Sequence, residues 1–195
     1  GNPYQGNSEF ISKLTNALSE IQRVSEGQSV VNELMTSQHS FEFRYGNDNK
    51  FDEANSILAS ANLSEIKATR TRNFNSNGCG GIIYWNPTLA HGGIDTNGNT
   101  IRPTYVGLAH EMFHGSDANN GIYYIVMGSC KTYTSPLTGA TYNPFKDEIM
   151  KAEWRAVYRE NIFRQQKNLP LRKFYGNYGP SLLDNRNNPI NYPAY

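Results

Sequence analysis

The chain has 195 residues, of which 37% are hydrophobic and 12% aromatic, the composition of a folded globular domain rather than a disordered one. Its 18 Lys and Arg residues against 17 Asp and Glu leave a net charge of +1, which gives no reason to expect nucleic acid or an anionic membrane as a partner. No apolar run approaches the roughly 18 residues that a membrane span needs. We expect residues 1–195 to form a single domain that acts as a monomer.

The first third of the chain predicts two helices, a strand and a short third helix. Residues 8 to 21 place Ile and Leu three or four positions apart, which predicts an amphipathic helix, and Gly27 is expected to end it. A second helical segment follows over residues 30 to 35. Alternation in residues 40 to 45 predicts a half-buried strand, and residues 53 to 61 predict a short helix.

A Gly-rich turn at residues 77 to 81 leads into a second strand at residues 82 to 85. A strand near an active-site helix can offer its free edge to an extended peptide of any sequence, although an ordinary core strand has the same composition. The two cysteines, Cys79 and Cys130, lack a zinc-binding spacing. They form either one disulfide or two free thiols.

The most informative pattern is His110-Glu111-Met112-Phe113-His114. On a helix this spacing puts both imidazoles on one face, one turn apart, where they can share a metal ion. Zinc fits best because it accepts imidazole nitrogen and tolerates three protein ligands plus a water. Glu111 would then stand beside that water and take its proton during attack on a carbonyl. Two surface histidines on an ordinary helix are the alternative.

Local signals bound this helix and place a longer one after it. Pro103 suits the start of the motif helix, and Gly115 is a natural place for it to end. Residues 128 to 144 are rich in Gly, Ser, Thr and Pro and predict a loop. The longest helix is expected at residues 145 to 166, and residues 177 to 195 form an irregular tail.

A zinc site needs a third protein ligand. A third histidine in the extended motif would require Gly at position 117 and His at position 120, but the chain has Asp117 and Asn120. The ligand is therefore expected to be a carboxylate from the long helix. That helix offers three glutamates: Glu148, Glu153 and Glu160.

Glu153 is the best of these candidates. It lies in an apolar stripe of the long helix, where an unpaired carboxylate is costly and a metal would remove that cost. Glu148 lies on a wetter face, and Glu160 has Arg164 four residues on as an ion-pair partner. We choose Glu153 as the ligand. Glu160 then either supports the metal ligands or forms a structural ion pair.

Three stretches together carry a family resemblance: His110-Glu111-Met112-Phe113-His114, Glu153-Trp154-Arg155-Ala156-Val157 and Arg172-Lys173-Phe174-Tyr175. They resemble the zinc endopeptidases of the type III effector protease family, also found as toxin tips of Rhs-type proteins. The light chains of clostridial neurotoxins are similar more distantly. The resemblance covers residues 80 to 176 and implies that Glu153 is the third zinc ligand. One departure is Ala156-Val157-Tyr158, where these families favour a glycine.

Arg172 and Tyr175 fit the same chemistry. Negative charge develops on the carbonyl oxygen during attack, and a guanidinium and a phenol three residues apart can both stabilise it. The alternative is that Arg172 binds a carboxylate and Tyr175 packs against its neighbours. The proline at position 170 ends or kinks the long helix, so that the chain can turn back towards the metal.

The sequence therefore predicts an α+β, zincin-like fold, with the active-site helix packed on a small mixed sheet and a second long helix supplying the third ligand. We expect a gluzincin-like zinc endopeptidase, secreted or delivered into a target cell, that binds Zn2+ and cleaves a protein or peptide substrate. The alternatives are a non-catalytic zinc-stabilised binding module and a zinc amidase acting on cell-wall peptides. Glu111 counts against the module, because a structural zinc site needs no base.

Overall fold

The computed structural model describes residues 8–62, 78–123, 133–134, 141–142, 151–177 and 179–191. These residues form helices α1 (Ser8–Gln22), α2 (Ser25–Thr36), α3 (Ser56–Ala59), α4 (Thr104–Asn119) and α5 (Lys151–Gln166), and strands β1 (Phe41–Tyr45), β2 (Lys50–Glu53), β3 (Gly81–Trp85), β4 (Tyr133–Thr134) and β5 (Thr141–Tyr142). The predicted α+β class is confirmed. No helix within the described ranges is long and apolar enough to cross a membrane.

The main sheet has three strands in the order β1-β3-β2, with β3 parallel to β1 and antiparallel to β2. The strand predicted from composition at residues 82 to 85 is present as β3, and its side chains alternate, with Ile83 and Trp85 buried. Because β3 is paired on both sides, it is the ordinary core strand of the two alternatives and has no free edge for a peptide. The edge strands of this sheet are β1 and β2, and the shorter strands β4 and β5 form a separate antiparallel pair.

Helix α4 lies at the centre of the fold. Every residue from Val106 to Ala118 is buried, because α1, α2, α5 and the sheet all pack against the helix. The prediction that Gly115 ends the helix is wrong, since α4 continues to Asn119. A Cβ built on Gly115 would lie 3.5 Å from Phe41 and 3.7 Å from Ile83, so this glycine sits where the helix packs on the sheet. Tertiary packing therefore overrides the local stop signal.

The boundary between α1 and α2 also differs from the prediction. Helix α1 ends at Gln22, and Gly27 lies inside the first turn of α2. A Cβ at Gly27 would collide with the carbonyl oxygen of Ile21. Glycine is therefore needed for close contact between the two helices, and the prediction that it ends α1 is wrong.

The helix predicted over residues 53 to 61 is shorter than expected. Glu53 belongs to strand β2, and α3 covers Ser56–Ala59 alone. The Asn55 side chain caps α3 by accepting hydrogen bonds from the N–H groups of Ile57 and Leu58. Pairing with β3 thus takes the residues before Asn55 away from the helix.

Helix α5 covers residues 151 to 166 of the predicted long helix, while residues 143 to 150 lie outside the described part of the chain. Asn168 adopts a left-handed conformation with φ of 54°, and the Leu169 N–H donates to the Arg164 carbonyl, which ends the helical turn. The following segment turns back over the fold. Its Lys173 N–H donates to the Ile94 carbonyl at 2.7 Å.

The C-terminal segment and the cysteines complete the described fold. Residues 179–191 form neither helix nor strand, as predicted, but Leu182 packs against Trp154 and Val157 of α5. Cys79 is free and buried, with its thiol directed at the carbonyl of Asn55 at 3.4 Å. Cys130 lies outside the described residues, and Cys79 is not in a disulfide.

Candidate metal centre and active site

The two motif histidines face the first turn of α5. Their rings lie edge to face on α4, with centroids 4.8 Å apart, and both side chains are buried. The Nε2 atom of His110 is 3.0 Å from one carboxylate oxygen of Glu153, and the Nε2 atom of His114 is 3.4 Å from the other. One donor atom from each of the three residues lies within 4.8 Å of the other two. The three residues thus form a group that can hold a metal ion.

The donor set fits zinc. Two imidazole nitrogens and a carboxylate oxygen are ligands that Zn2+ accepts in three-ligand protein sites. The Nδ1 atom of His110 faces Glu160 at 2.9 Å, which leaves Nε2 directed at the centre of the group. The Nδ1 atom of His114 is buried and has no hydrogen-bond partner among the described residues.

The His110 ring lies between the carboxylates of Glu153 and Glu160. Burial opposes ionisation of Glu153, but His114 and His110 hold the pKa of its carboxyl well below the usual range. Burial also opposes protonation of His110, yet its hydrogen bonds to Glu153 and Glu160 raise its pKa to about 9. A proton on His110 Nε2 donates to the Glu153 carboxylate, and a metal ion bound between the same two groups would replace that proton.

Glu160 supports His110 from the far side of the ring. It is completely buried in α5, and it accepts hydrogen bonds from Arg164 at 2.8 Å, Arg172 at 3.1 Å and Arg102 at 3.3 Å. Burial opposes its ionisation, but the three guanidinium groups hold its pKa well below the usual range. One carboxylate thus contacts His110 and also pairs with Arg164, so the ion pair is present and support of a metal ligand through His110 stays a prediction.

Arg172 is held in place by α5. Its backbone N–H donates to the Asn161 side-chain oxygen at 2.7 Å, and its carbonyl accepts from the Asn161 amide nitrogen at 2.9 Å. The guanidinium donates through Nη1 to Glu160, through Nε to the Phe174 carbonyl at 3.3 Å and through Nη2 to the Tyr175 carbonyl. All three of its nitrogens thus have acceptors within the protein, which is the alternative considered for Arg172.

Tyr175 lies beside the metal-binding group. Its ring stacks under the Arg172 guanidinium at 4.7 Å, and its hydroxyl lies close enough to the Glu153 carboxylate for that charge to raise the pKa of the phenol. Burial and the negative charge of Glu153 raise the pKa of Tyr175, so the phenol keeps its proton. The hydroxyl is therefore a hydrogen-bond donor next to a proposed ligand.

Glu111 is separate from the three grouped residues. Its side chain is buried but lines the same cleft as His110 and His114. Burial raises the pKa of the Glu111 carboxyl, which suits a group that takes up a proton near neutral pH.

These residues lie in one open cleft of about 350 Å3. Its metal side consists of His110, Glu111, His114, Glu153 and Tyr175, and its strand side consists of Asn49, Lys50, Phe51 and Arg102. A cleft with these two sides has room for a substrate segment next to the metal-binding group.

A family model described as effector protein, Peptidase_M91, matches residues 1–126. The chain belongs to this family. Searches against curated proteins and against solved structures return no match.

Membership of the Peptidase_M91 effector family confirms the predicted relationship to effector-type peptidases. It indicates a peptidase that acts on protein and that reaches its substrate by delivery into a host cell. The matched residues include His110, Glu111 and His114 but end before Glu153 and Tyr175. The roles of the two later residues therefore depend on their positions beside the histidines.

Among the cleft residues that sequence reasoning missed in this Peptidase_M91 protein are Asn49, Arg102 and Tyr123. The Tyr123 ring lies 5.4 Å from that of His114, and burial raises the pKa of its hydroxyl. Tyr123 follows the motif helix by only a few residues, which is the one local signal that could have placed it at the site. Nothing in the local sequence marks Asn49 or Arg102.

Proposed function

We propose that this Peptidase_M91 chain is a zinc-dependent endopeptidase that cleaves a protein inside a target cell. The observation that carries the proposal is the convergence of His110, His114 and Glu153 on one point, beside the buried carboxylate of Glu111 in an open cleft. Family membership supplies the peptidase class, and the donor set supports zinc. The contact of Leu182 with Trp154 supports treating residues 1–195 as one peptidase domain.

His110, His114 and Glu153 would hold the zinc ion, with Glu160 fixing the ring orientation of His110. Bound zinc supplies a Lewis acid that polarises the scissile carbonyl and lowers the pKa of a water molecule towards roughly 7. Glu111 takes the proton of the attacking water and delivers it to the leaving amine. The water-poor surroundings of Glu111 favour its protonated form after that transfer.

Tyr175 donates its phenolic hydrogen to the carbonyl oxygen as negative charge develops there. Arg172 keeps Tyr175 in position through the stacking contact and the backbone hydrogen bond, and its positive charge stabilises the same oxygen. This division of roles follows from the guanidinium contacts, which use each nitrogen of Arg172 within the protein.

The substrate would bind as an extended strand along β2. This strand is an edge of the sheet, and Lys50 and Phe51 line the cleft. An edge strand presents unpaired backbone groups that can pair with a peptide whatever its side chains. Peptide pairing, which the sequence analysis considered for residues 82 to 85, is therefore proposed for the neighbouring strand β2.

The proposal is tested by metal analysis combined with identification of newly formed protein N-termini. The purified chain should bind one zinc per molecule and cut proteins of a host-cell extract at internal sites. A chelator should abolish the cuts, and added zinc should restore them. Glu153→Ala should lose both zinc and cleavage, whereas Glu42→Ala, an exposed change on β1, should lose neither.

Two results would contradict the proposal. Cleavage that resists the chelator would exclude zinc chemistry. Stoichiometric zinc binding without cleavage of any protein would favour the metal-stabilised binding module instead.

A further inference from the structure

The strand side of the cleft carries hydrogen-bond donors without acceptors. Among the described residues, the buried side-chain atoms with no hydrogen-bond partner are Asn49 Nδ2, Arg102 Nε and His114 Nδ1. All three residues line the same cleft. His114 belongs to the metal-binding group, so the other two require a separate explanation, because a buried donor without an acceptor is costly.

The orientation of the Asn49 amide is fixed by its oxygen. Asn49 Oδ1 accepts a hydrogen bond from the backbone N–H of Asn86 at 2.8 Å, which leaves the amide nitrogen as the free end. A Cβ built on Gly107 would collide with that nitrogen and would lie 3.1 Å from Arg102 Nη2. The Asn49 amide nitrogen and the outer end of the Arg102 guanidinium therefore meet at Gly107. Arg102 Nε lies beside Gly92, where a Cβ would be 2.9 Å from it.

Arg102 differs from the other arginines of the cluster. Its side chain is 9% exposed, and its one ion-pair contact, from Nη1 to Glu160, is the longest of the three at 3.3 Å. Arg172 uses all three of its nitrogens within the protein, and Arg164 donates to Glu160 and to the Pro170 carbonyl. Three guanidinium groups share the Glu160 carboxylate, and Arg102 has the longest of these contacts, so its charge is the least closely paired of the three. Glu111 is the other carboxylate whose charge acts on Arg102.

We propose that Asn49 and Arg102 form a subsite for a carboxylate of the substrate. A guanidinium and an amide N–H group are matched donors for a carboxylate, and the less closely paired charge at Arg102 favours an anion over a neutral amide. The carboxylate is either an Asp or Glu side chain of an extended segment or the C-terminus of a peptide. This subsite depends on the proposed peptidase function, since it selects that enzyme's substrates.

The position of the subsite predicts which substrate residue it reads. Gly107 precedes the motif residues His110 and Glu111 by about one helical turn, or roughly 5 Å along the axis. An extended peptide advances about 3.3 Å per residue. The selected carboxylate therefore lies within about two residues of the scissile bond, always on the same side.

The test uses a synthetic library of random decapeptides, made once with amidated and once with free C-termini, and reads the cut sites by mass spectrometry. Wild-type protein should show Asp or Glu enriched at one fixed position in the amidated library. A preference that appears only in the free-acid library identifies the terminal carboxylate as the ligand. Arg102→Gln and Asn49→Asp should each abolish the preference, because one removes the cation and the other replaces a donor with an acceptor.

Arg44→Gln is the matched control, because it removes the same charge from β1, at the other edge of the sheet. For the best peptide, exchange of Glu for Gln at the selected position should lower kcat/KM by about 10- to 100-fold in the wild type, the scale of a hydrogen-bonded charge. In Arg102→Gln, kcat/KM for the Glu peptide and for the Gln peptide should be about equal. Unchanged zinc content and thermal unfolding would show that Arg102→Gln keeps its fold. Asn49→Asp tests the subsite a second time, at a residue that does not contact Glu160.

Two outcomes separate this inference from the proposed function. Chelator-sensitive cleavage without an acidic preference, or a preference that survives both variants, would overturn the subsite and leave the peptidase intact. If no peptide is cut, the peptidase proposal fails, and retention of the same library on immobilised protein decides the subsite. Acidic peptides retained by the wild type and released by Arg102→Gln would support it, and equal retention would overturn it.

Discussion

The metal side of the cleft and its strand side differ in how their polar groups are satisfied. On the metal side, His110 contacts Glu153 and Glu160, and the Tyr175 hydroxyl lies close to Glu153. On the strand side, Asn49 and Arg102 each carry a donor that meets no acceptor in the described part of the chain. Groups that act in a reaction need to be held in position beforehand, whereas groups that bind a substrate keep free donors for it. The contrast indicates that the metal side, apart from the unpartnered Nδ1 atom of His114, is complete without substrate and the strand side is not.

Changes on the metal side should therefore lower turnover, and changes on the strand side should alter substrate binding. The largest effect is expected for Glu111→Gln, which keeps the shape of the side chain but removes the base. Activity should fall by about 10²- to 10⁴-fold, as is typical for loss of a positioned general base. Steady-state kinetics and metal analysis check this, with Glu42→Gln as an exposed control. Loss of zinc in Glu111→Gln would show that Glu111 is a ligand.

Tyr175→Phe should have the next largest effect. Removal of the hydroxyl should lower kcat by about 10- to 10³-fold with little change in KM, because the hydrogen bond is made mainly in the transition state. Tyr84→Phe removes a hydroxyl that lies near Arg44, away from the metal, and should leave kcat unchanged. Arg172→Lys should also be impaired, since an ammonium group cannot reach three separate acceptors. An unaltered kcat in Tyr175→Phe would remove Tyr175 from the mechanism.

Glu160→Gln should weaken zinc binding without removing a ligand. Loss of the charge that orients His110 should reduce zinc affinity by about 10- to 100-fold, measured by competition with a chromophoric chelator. The protein should also unfold more easily, by about 3 kcal/mol, because three buried guanidinium groups lose their shared carboxylate. Lower stability with undiminished zinc affinity would restrict Glu160 to a structural role.

Gly107→Ala should have the smallest effect and should act on the strand side alone. The added methyl group would press against Asn49 and approach Arg102, so KM should rise a few-fold while kcat and zinc content stay the same. Overpacking of this kind costs about 1–3 kcal/mol of folding free energy, which thermal unfolding would detect. Gly176→Ala is the matched control, since a Cβ there meets no atom within 4 Å. A fall in kcat would mean that the two sides of the cleft are not independent.

The sequence predicts the motif helix and the region of the metal site well, because both depend on local spacing. The four-residue spacing of His110 and His114 places them together on any helix, and the apolar stripe of α5 led to Glu153. Their roles as ligands remain predictions. The same stripe contains Glu160, which is more deeply buried than Glu153. Its cost of burial is offset by arginines rather than by a metal.

Contacts between distant segments explain what the sequence did not predict. Arg164 is visible as a partner of Glu160 at four residues, but Arg102 reaches the same carboxylate from 58 residues away. Strand β2 is short and polar, so its own sequence does not mark it as a strand. It is a strand because it pairs with β3. Gly27 is a stop signal by local rules, yet close packing on Ile21 places it inside a helix. Periodicity carries no information about such partners.

The proposed pairing of the substrate with β2, an edge strand among the described residues, sets a condition on the shape of the substrate. A strand edge pairs with a backbone whose own N–H and C=O groups are unpaired, so a segment that is helical or already in a sheet has nothing to offer it. The cut site in a folded target must therefore be a loop or a segment that opens transiently. The free energy of that local opening in the target would then limit how fast it is cut.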